Sequence, residues 1–191
     1  MGTGTVIASH TILTNTHVVE TQYGSIAHPS NIIFNMNQNG AKKPYTFHAS
    51  RIIKVPSYDM AIIHTKENMV RKSGVQPLRL ASDAKIRNLK QGQTLYSLGY
   101  GFHPYTNTLP YWSKFKYLQK SSNQAEIMTK DIFRAGDSGS PMVNGNYEIF
   151  ELRTCGYNLR GTSSNAYARQ EVSGGESLYG YPKRFIQNNM W

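Results

Sequence analysis

A serine, a histidine and an aspartate in this chain lie in local sequences that suit nucleophilic attack and proton transfer. Residues 136–141 read Gly-Asp-Ser-Gly-Ser-Pro, which places Ser138 on a tight turn flanked by glycines. Such a turn presents the hydroxyl to solvent and aims backbone N–H groups, here those of Gly136 and Ser138, at one point. That geometry suits a nucleophile with an oxyanion hole. Turns of this composition are also common, so the segment alone leaves an ordinary turn open.

Two upstream segments supply the partners that a nucleophilic serine needs. His17 follows an apolar strand pattern at residues 11–14, and Asp59 stands at the head of the apolar run 60–63. A carboxylate in that position is desolvated unless it is paired, and an imidazolium supplies such a pairing. Taken separately, the histidine fits a core residue and the aspartate fits a strand cap. The chain order histidine, aspartate, serine is that of chymotrypsin-type enzymes, which favours a catalytic interpretation.

The elements that must position these residues are predicted to be mostly β-strands. Short β-branched runs separated by turn residues recur along the chain, as is typical of a sandwich or a barrel. The predicted strands are residues 6–8, 11–14, 31–34, 51–55, 60–64, 94–98, 112–118, 126–128, 141–143 and 148–152. Residues 182–187 predict a short helix with a proline in its first turn. The sequence shows no repeat and no alternation of strands with helices.

These motifs resemble those of the staphylococcal branch of chymotrypsin-like serine proteases: the glutamyl endopeptidase, the exfoliative toxins and the serine-protease-like exoproteins. The similarity covers nearly the whole chain. It is carried by a histidine segment at residues 13–19, an aspartate segment at 59–63, a Gly-Tyr turn at 98–100 and a serine segment at 136–141. The resemblance implies a serine endopeptidase that works through an acyl-enzyme.

The resemblance also assigns roles to individual residues. It makes His17 the general base, Asp59 its orienting group and Ser138 the nucleophile. It makes the N–H groups of Gly136 and Ser138 the oxyanion hole. The family usually carries Gly-Gly-Asn-Ser-Gly here, whereas this chain has Ala135 and Asp137 at the first and third positions. We expect these departures to leave the triad intact and to affect the conformation of the oxyanion loop.

The implied fold is all-β: two packed antiparallel β-barrels of the chymotrypsin-like type, followed by a short C-terminal helix. Residues 1–82 would form the N-terminal barrel with the histidine and the aspartate. Residues 83–191 would form the C-terminal barrel with the serine, the oxyanion hole and the substrate pocket. Met1 falls where the family is already inside its first barrel. We therefore expect the first barrel to lack its N-terminal strand and to have an open edge.

Two positions near Ser138 bear on which substrate residue precedes the cleaved bond. The glutamate-cleaving relatives carry a threonine five residues before the serine and a histidine fifteen after it, where this chain has Phe133 and Arg153. Arg153 offers a bidentate site for an acidic substrate side chain. Alternatively, it pairs with Glu151 or Asp131 and only neutralises a buried charge. Cleavage after acidic residues and a non-acidic or narrow sequence preference both stay open.

A short segment after the last predicted strand matches the family's substrate-binding strand. It consists of Thr154, Cys155 and Gly156. By the resemblance, its backbone groups pair with an extended substrate as an added strand. Cys155 is the only cysteine, so no intrachain disulfide forms, and its context indicates a packing residue rather than a nucleophile.

Composition and charge limit the kinds of partner, cofactor and location that the sequence supports. The chain has 191 residues and a formal net charge of +10, with eleven Lys/Arg and four Asp/Glu in residues 1–90. No nucleic-acid module accompanies this charge, which indicates a basic surface rather than a nucleic-acid partner. No metal-ligand spacing and no cofactor motif is present. No run reaches the roughly 20 apolar residues that span a bilayer, and no signal peptide follows Met1. The resemblance implies a secreted protein, a protein or peptide substrate and a monomer.

Two other functions stay open at this stage. The basic charge and the two departures around Ser138 fit a toxin-like or binding protein that retains the protease fold with little proteolysis. Three catalytic residue types in register count against that alternative. A viral chymotrypsin-like protease can also carry Gly-Asp-Ser-Gly, although the histidine and aspartate segments favour the bacterial branch.

Overall fold

The computed structural model describes residues 1–102, 105–157 and 172–191. Its strands lie in two sheets, with short helices between and after them. The strands are β1 (Thr5–Ala8), β2 (Thr11–Thr14), β3 (Ile33–Met36), β4 (Tyr45–Lys54), β5 (Ala61–Thr65), β6 (Arg79–Leu80), β7 (Thr94–Gly99), β8 (Tyr111–Lys120), β9 (Glu126–Lys130), β10 (Pro141–Val143), β11 (Glu148–Tyr157) and β12 (Val172–Ser177). The helices are α1 (Met69–Ser73), α2 (Asp83–Arg87) and α3 (Tyr181–Asn188).

The first sheet has the order β1-β2-β5-β4-β3 and stays open. Its central strands β2 and β5 are apolar on both faces. Alternate residues of a strand point to opposite faces. Ile12 and Ile63 therefore pack inside this sheet, whereas Leu13 and Ile62 pack against the second sheet. The ends of β2 and β5 consequently lie at the junction of the two sheets.

The two outer strands of the first sheet, β1 and β3, flank a groove of about 560 Å³. Gly4 beside β1 has no side chain, and a Cβ there would overlap Ile12 of β2 at 2.7 Å and press against Phe34 of β3 at 3.3 Å. Within the described residues, no strand bridges β1 to β3. The open edge expected from the sequence is therefore present.

The second sheet closes on itself. Its order is β10-β7-β8-β9-β12-β11-β6, and β10 also pairs with β11, which completes a barrel of six antiparallel strands. The strand β6 joins outside this barrel, parallel to β11. Leu95, Phe115 and Ile127 fill the space against the first sheet.

The all-β, chymotrypsin-like fold class is confirmed, as is a helix at the C-terminus. The sequence did not predict the helices α1 and α2 or the strands β6 and β12. The sequence of β12 contains two glycines and only one β-branched residue, Val172, so it carries little of the pattern that indicates a strand. The division into residues 1–82 and 83–191 stays a prediction, and β6 already pairs with the second sheet. No helix in the described ranges is long and apolar enough to cross a membrane.

Candidate active site

His17 and Asp59 meet because the strands that carry them are neighbours. His17 lies in the 3₁₀ turn Thr16–Val19, directly after β2, and Asp59 lies just before β5. β2 and β5 are antiparallel, with Thr14 opposite Ala61, so the end of one strand adjoins the start of the other. His17 Nδ1 lies 2.6 Å from Asp59 Oδ2, and the His17 backbone N–H donates to Asp59 Oδ1 at 3.0 Å.

This pair changes the acidity of both groups. The hydrogen bond to Asp59 raises the pKa of His17 above its ordinary value, against the opposing effect of burial. Burial raises the pKa of Asp59, but the side-chain and backbone bonds from His17 more than reverse this, so the net pKa of Asp59 is lowered. The pair therefore favours an ionised aspartate beside an imidazole that readily holds a second proton.

Asn15 and Thr16 fix the aspartate's backbone. The Asn15 side chain donates to the Asp59 carbonyl at 2.7 Å and to Thr154 Oγ1, on the second sheet, at 3.3 Å. Thr16 Oγ1 donates to the Met60 carbonyl at 2.9 Å. Sequence reasoning assigned no role to Asn15, although it lies within the histidine segment.

The serine turn is held by the backbone of the strand next to it. The Gly139 N–H donates to the Arg153 carbonyl at 3.0 Å, and the Arg153 N–H donates to the Ser140 carbonyl at 2.9 Å. Gly136 and Gly139 have φ angles of 95° and 87°, a region that disfavours residues with a side chain. A Cβ on Gly139 would overlap Thr14 Oγ1 and lie 3.3 Å from the Asn15 nitrogen. The turn that carries Ser138 therefore packs directly against the residues that precede His17.

Thr3 connects this turn to the histidine strand. Its N–H donates to the Ser138 carbonyl at 2.9 Å, and its hydroxyl donates to the Gly136 carbonyl at 2.9 Å. Its own carbonyl accepts a hydrogen bond of 2.8 Å from Thr14 Oγ1. Thr3 was not singled out from the sequence, because nothing in its local sequence distinguishes it from an ordinary surface threonine.

The peptide before Gly136 has a defined orientation. The Ala135 carbonyl accepts hydrogen bonds from the Phe102 N–H at 2.7 Å and from Asn107 Nδ2 at 2.8 Å. In a trans peptide the N–H points opposite to the C=O. The Gly136 N–H therefore points away from these two donors. Asp137 is buried, and its Oδ2 accepts the Arg134 N–H at 2.8 Å.

Phe133 and Arg153 lie side by side, but the positive charge of Arg153 is paired with Asp131. Arg153 is 1% exposed, and its guanidinium lies 5.8 Å from the centre of the Phe133 ring. It donates to Asp131 Oδ2 and, at 2.9 Å, to the Ile132 carbonyl. Burial raises the pKa of Asp131, and Arg153 partly offsets that rise. This is the Asp131 pairing that the sequence left open beside the acidic-pocket interpretation.

Thr154, Cys155 and Gly156 belong to the far half of β11. Cys155 and Gly156 pair with Gly174 and Ser173 of β12, after an irregularity at Thr154. On its other side, β11 pairs with β10 only as far as Leu152. In the part of the chain that the structure describes, no strand occupies the free edge beyond that point.

Comparison with known proteins gives a consistent result. The sequence matches the trypsin-like peptidase domain over residues 2–149. A structure of Glu endopeptidase in complex with MPD is 24% identical, with a TM-score of 0.74, and the match covers 98% of this chain and 84% of that one. The serine protease AL20 from an extremophilic microorganism is 15% identical, with a TM-score of 0.73 and coverages of 96% and 87%. The protease Anisep from Arthrobacter nicotinovorans is 17% identical, with a TM-score of 0.71 and coverages of 98% and 87%.

Proposed function

Because this chain belongs to the trypsin-like peptidase family and is a serine endopeptidase of chymotrypsin-like fold, we propose that it cleaves peptide bonds with Ser138, His17 and Asp59. The observation that carries the proposal is the 2.6 Å contact between His17 and Asp59, next to the turn that bears Ser138. A histidine held by a carboxylate beside a serine on a tight turn is the arrangement that activates a hydroxyl nucleophile.

The reaction proceeds in two halves. His17 Nδ1–H is bonded to Asp59, so Nε2 accepts the Ser138 hydroxyl proton as Oγ attacks the substrate carbonyl. The C–N bond then breaks, the imidazolium gives its proton to the leaving amine, and an acyl-enzyme remains. A water molecule then attacks the ester while His17 takes a proton from it. The bond between Ser138 Oγ and the acyl carbon breaks, His17 returns the proton to Oγ, and the carboxylic acid product leaves.

The N–H groups of Gly136 and Ser138 are assigned to the developing negative oxygen. Two features support the role of Gly136. Its N–H points away from the donors that bind the Ala135 carbonyl, and its φ of 95° suits glycine alone. A donor of this kind is worth about 10²- to 10³-fold in kcat in related enzymes.

A fluorophosphonate probe tests the nucleophile directly. We expect the wild-type protein to be labelled at Ser138, Ser138→Ala to be unlabelled, and His17→Ala to react at least about 100-fold more slowly because the base is lost. Peptide mapping by mass spectrometry identifies the labelled residue. A Ser138→Ala protein that cleaves peptides as fast as wild type would contradict the proposal. A folded wild-type protein that neither reacts nor cleaves would favour the toxin-like or binding alternative.

The surroundings of Arg153 bear on the substrate preference. Glu endopeptidase is among the similar structures, but Arg153 is buried and bonded to Asp131. We therefore favour a non-acidic or narrow preference over cleavage after acidic residues. A peptide library profiled on wild type and on Arg153→Met combined with Asp131→Asn, which removes both charges of the Arg153–Asp131 pair, is expected to give the same profile. Cleavage after Glu or Asp that disappears in the double variant would establish the acidic pocket.

The biological setting follows from the resemblance. We propose a secreted monomer of the staphylococcal branch that acts on protein or peptide substrates. Detection of the protein in culture medium tests the location, and light scattering of the purified protein tests the oligomeric state.

A further inference from the structure

Glu176 reaches from the second sheet to the aspartate of the first. It lies on β12, between β11 and β9, where it stands opposite Leu152 and Glu126. Its Oε2 accepts the backbone N–H of Asp59 at 2.6 Å, a contact between residues 117 positions apart in the chain. The carboxylate of one sheet therefore fixes the peptide that carries a proposed triad residue of the other.

Together with Asn15, Glu176 satisfies both backbone polar groups of Asp59. The Asp59 carbonyl accepts from Asn15 Nδ2 at 2.7 Å, and Asn15 also donates to Thr154 Oγ1 of β11. The Asp59 carboxylate is then bonded to the backbone and imidazole of His17. The place of this carboxylate thus depends on contacts that originate in the second sheet.

The groups that face Glu176 shift the pKa of its carboxylate. The pKa of Glu176 is raised to about 7, mainly by burial. The negative charges of Asp59 and Glu126 contribute to this rise, whereas the Asp59 N–H and the positive charge of His17 oppose it. A cleft of about 470 Å³ adjoins the carboxylate, between Tyr58 on one side and Cys155 on the other. Glu176 therefore carries its charge in part of the molecules near neutral pH.

We propose that Glu176 is a positioning residue of the catalytic centre, which holds the Asp59 peptide in place from the second sheet and stabilises the imidazolium form of His17 by its negative charge. The inference rests on the proposed function, since it assumes that His17 and Asp59 serve Ser138. Its two parts, an acceptor atom and a charge, can be separated by substitution.

Glu176→Gln keeps an acceptor oxygen and removes the charge, whereas Glu176→Ala removes both. We expect Glu176→Ala to lower kcat about tenfold with KM within about twofold, because Asp59 loses its anchor but the substrate site is unchanged. We expect Glu176→Gln to restore kcat to within about threefold of wild type. The Gln variant should also lower the pKa of His17 by about half a unit, since the imidazolium loses a nearby negative charge.

Two measurements follow this shift. The acid limb of the kcat/KM profile should move to lower pH in Glu176→Gln, and an NMR titration of His17 should move by the same amount. Glu67→Gln is the matched control: it removes one carboxylate charge beside another histidine of the first sheet, and neither measurement should change. The NMR titration does not need turnover, so it tests Glu176 even if the wild-type protein proves to be inactive.

An unchanged His17 titration in Glu176→Gln would overturn the electrostatic role. A wild-type kcat in Glu176→Ala, or no recovery in Glu176→Gln, would overturn the positioning role. Absence of fluorophosphonate labelling in the wild-type protein would instead reject the proposed function and leave the titration result standing on its own.

Discussion

Two histidine–carboxylate pairs of nearly identical geometry lie in the first sheet. In one, His17 Nδ1 lies 2.6 Å from Asp59 Oδ2 and the His17 N–H donates to Oδ1 at 3.0 Å. In the other, His48 Nδ1 lies 2.5 Å from Glu67 Oε1 and the His48 N–H donates to Oε2 at 2.9 Å. The two imidazoles are 44% and 55% exposed. Local geometry therefore does not distinguish a proposed catalytic pair from a surface pair.

The difference lies in what surrounds each pair. His48 is in the middle of β4, and Glu67 follows β5, so both partners of that pair belong to the first sheet. The Asp59 backbone N–H donates a hydrogen bond to Glu176 of the second sheet. The Asp59 carbonyl accepts one from Asn15, which also donates to Thr154 of the second sheet. The serine turn packs against Thr14 and Asn15 beside His17. The contacts from the second sheet, rather than the geometry of the pair itself, therefore distinguish the proposed catalytic pair from the surface pair.

The largest expected effect separates the two histidines. His17→Ala should lower kcat by about 10⁶-fold, because no other group takes the Ser138 proton. His48→Ala should stay within about twofold of wild type. Initial rates on a chromogenic peptide, normalised to the folded protein by circular dichroism, give both values. A large loss in His48→Ala with intact folding would mean that the second pair also serves the reaction.

The two carboxylates should differ almost as strongly. Asp59→Asn should lower kcat about 10⁴-fold, because the amide favours the wrong imidazole tautomer and cannot stabilise the imidazolium. Glu67→Gln should leave kcat and KM unchanged. The same peptide assay compares wild type with the two variants. The acid limb of the kcat/KM profile of Asp59→Asn should move to lower pH, because loss of the carboxylate charge lowers the pKa of His17. Equal effects of the two substitutions would show that the two carboxylates do not differ in function.

The parts of the site that sequence could identify are those with a local pattern. Ser138 lies in a glycine turn, and His17 and Asp59 each border an apolar strand. These motifs and the order of the three residues along the chain were enough to identify them as candidates. The strands with β-branched runs were found for the same reason, and β2 and β10 were placed with the bounds that the structure has. Local patterns therefore account for the proposed catalytic residues and for most of the strands near them.

The residues that hold these groups together left no such pattern. Thr3, Asn15 and Glu176 act through contacts between chain segments that are far apart, and their neighbours in sequence resemble ordinary surface or strand residues. Arg153 illustrates the same limit, since spacing from the serine could not decide between a substrate and Asp131 as its partner. Such contacts depend on how two sheets pack, which is a property of the tertiary structure.

Gly156 tests whether the second sheet also supplies the substrate strand. Gly156→Phe should raise KM about tenfold or more with a smaller change in kcat, because the ring obstructs the edge of β11 along which an extended peptide would pair. Gly145→Phe is the matched control, since a Cβ at Gly145 meets no atom within 4 Å. Steady-state kinetics and thermal unfolding should be measured on both. A fully active Gly156→Phe protein would place the substrate elsewhere.

The smallest expected effect concerns stability against pH. Burial raises the pKa of Glu67, but its bonds from His48 reverse this and the net pKa is lowered; the pKa of Asp59 is lowered in the same way by His17. Each carboxylate therefore adds stability that is present above its ordinary pKa and lost as the pH falls through its lowered one. The pKa of His17 is raised, mainly by Asp59, so its contribution is complete below about pH 6.5 and lost as the pH rises through the folded value.

Urea unfolding of wild type and Glu67→Gln between pH 3 and pH 8 separates these contributions. Glu67→Gln should lose about 0.5 to 1 kcal/mol near pH 6, because the pair is partly exposed, and should approach wild type as the pH falls below about 4. The acid limb of its kcat/KM profile should coincide with that of wild type, because the His17 pair is intact. A shift of that limb would show that the two pairs are electrostatically coupled. The Glu67 pair would then influence the proposed catalytic pair despite their separate surroundings.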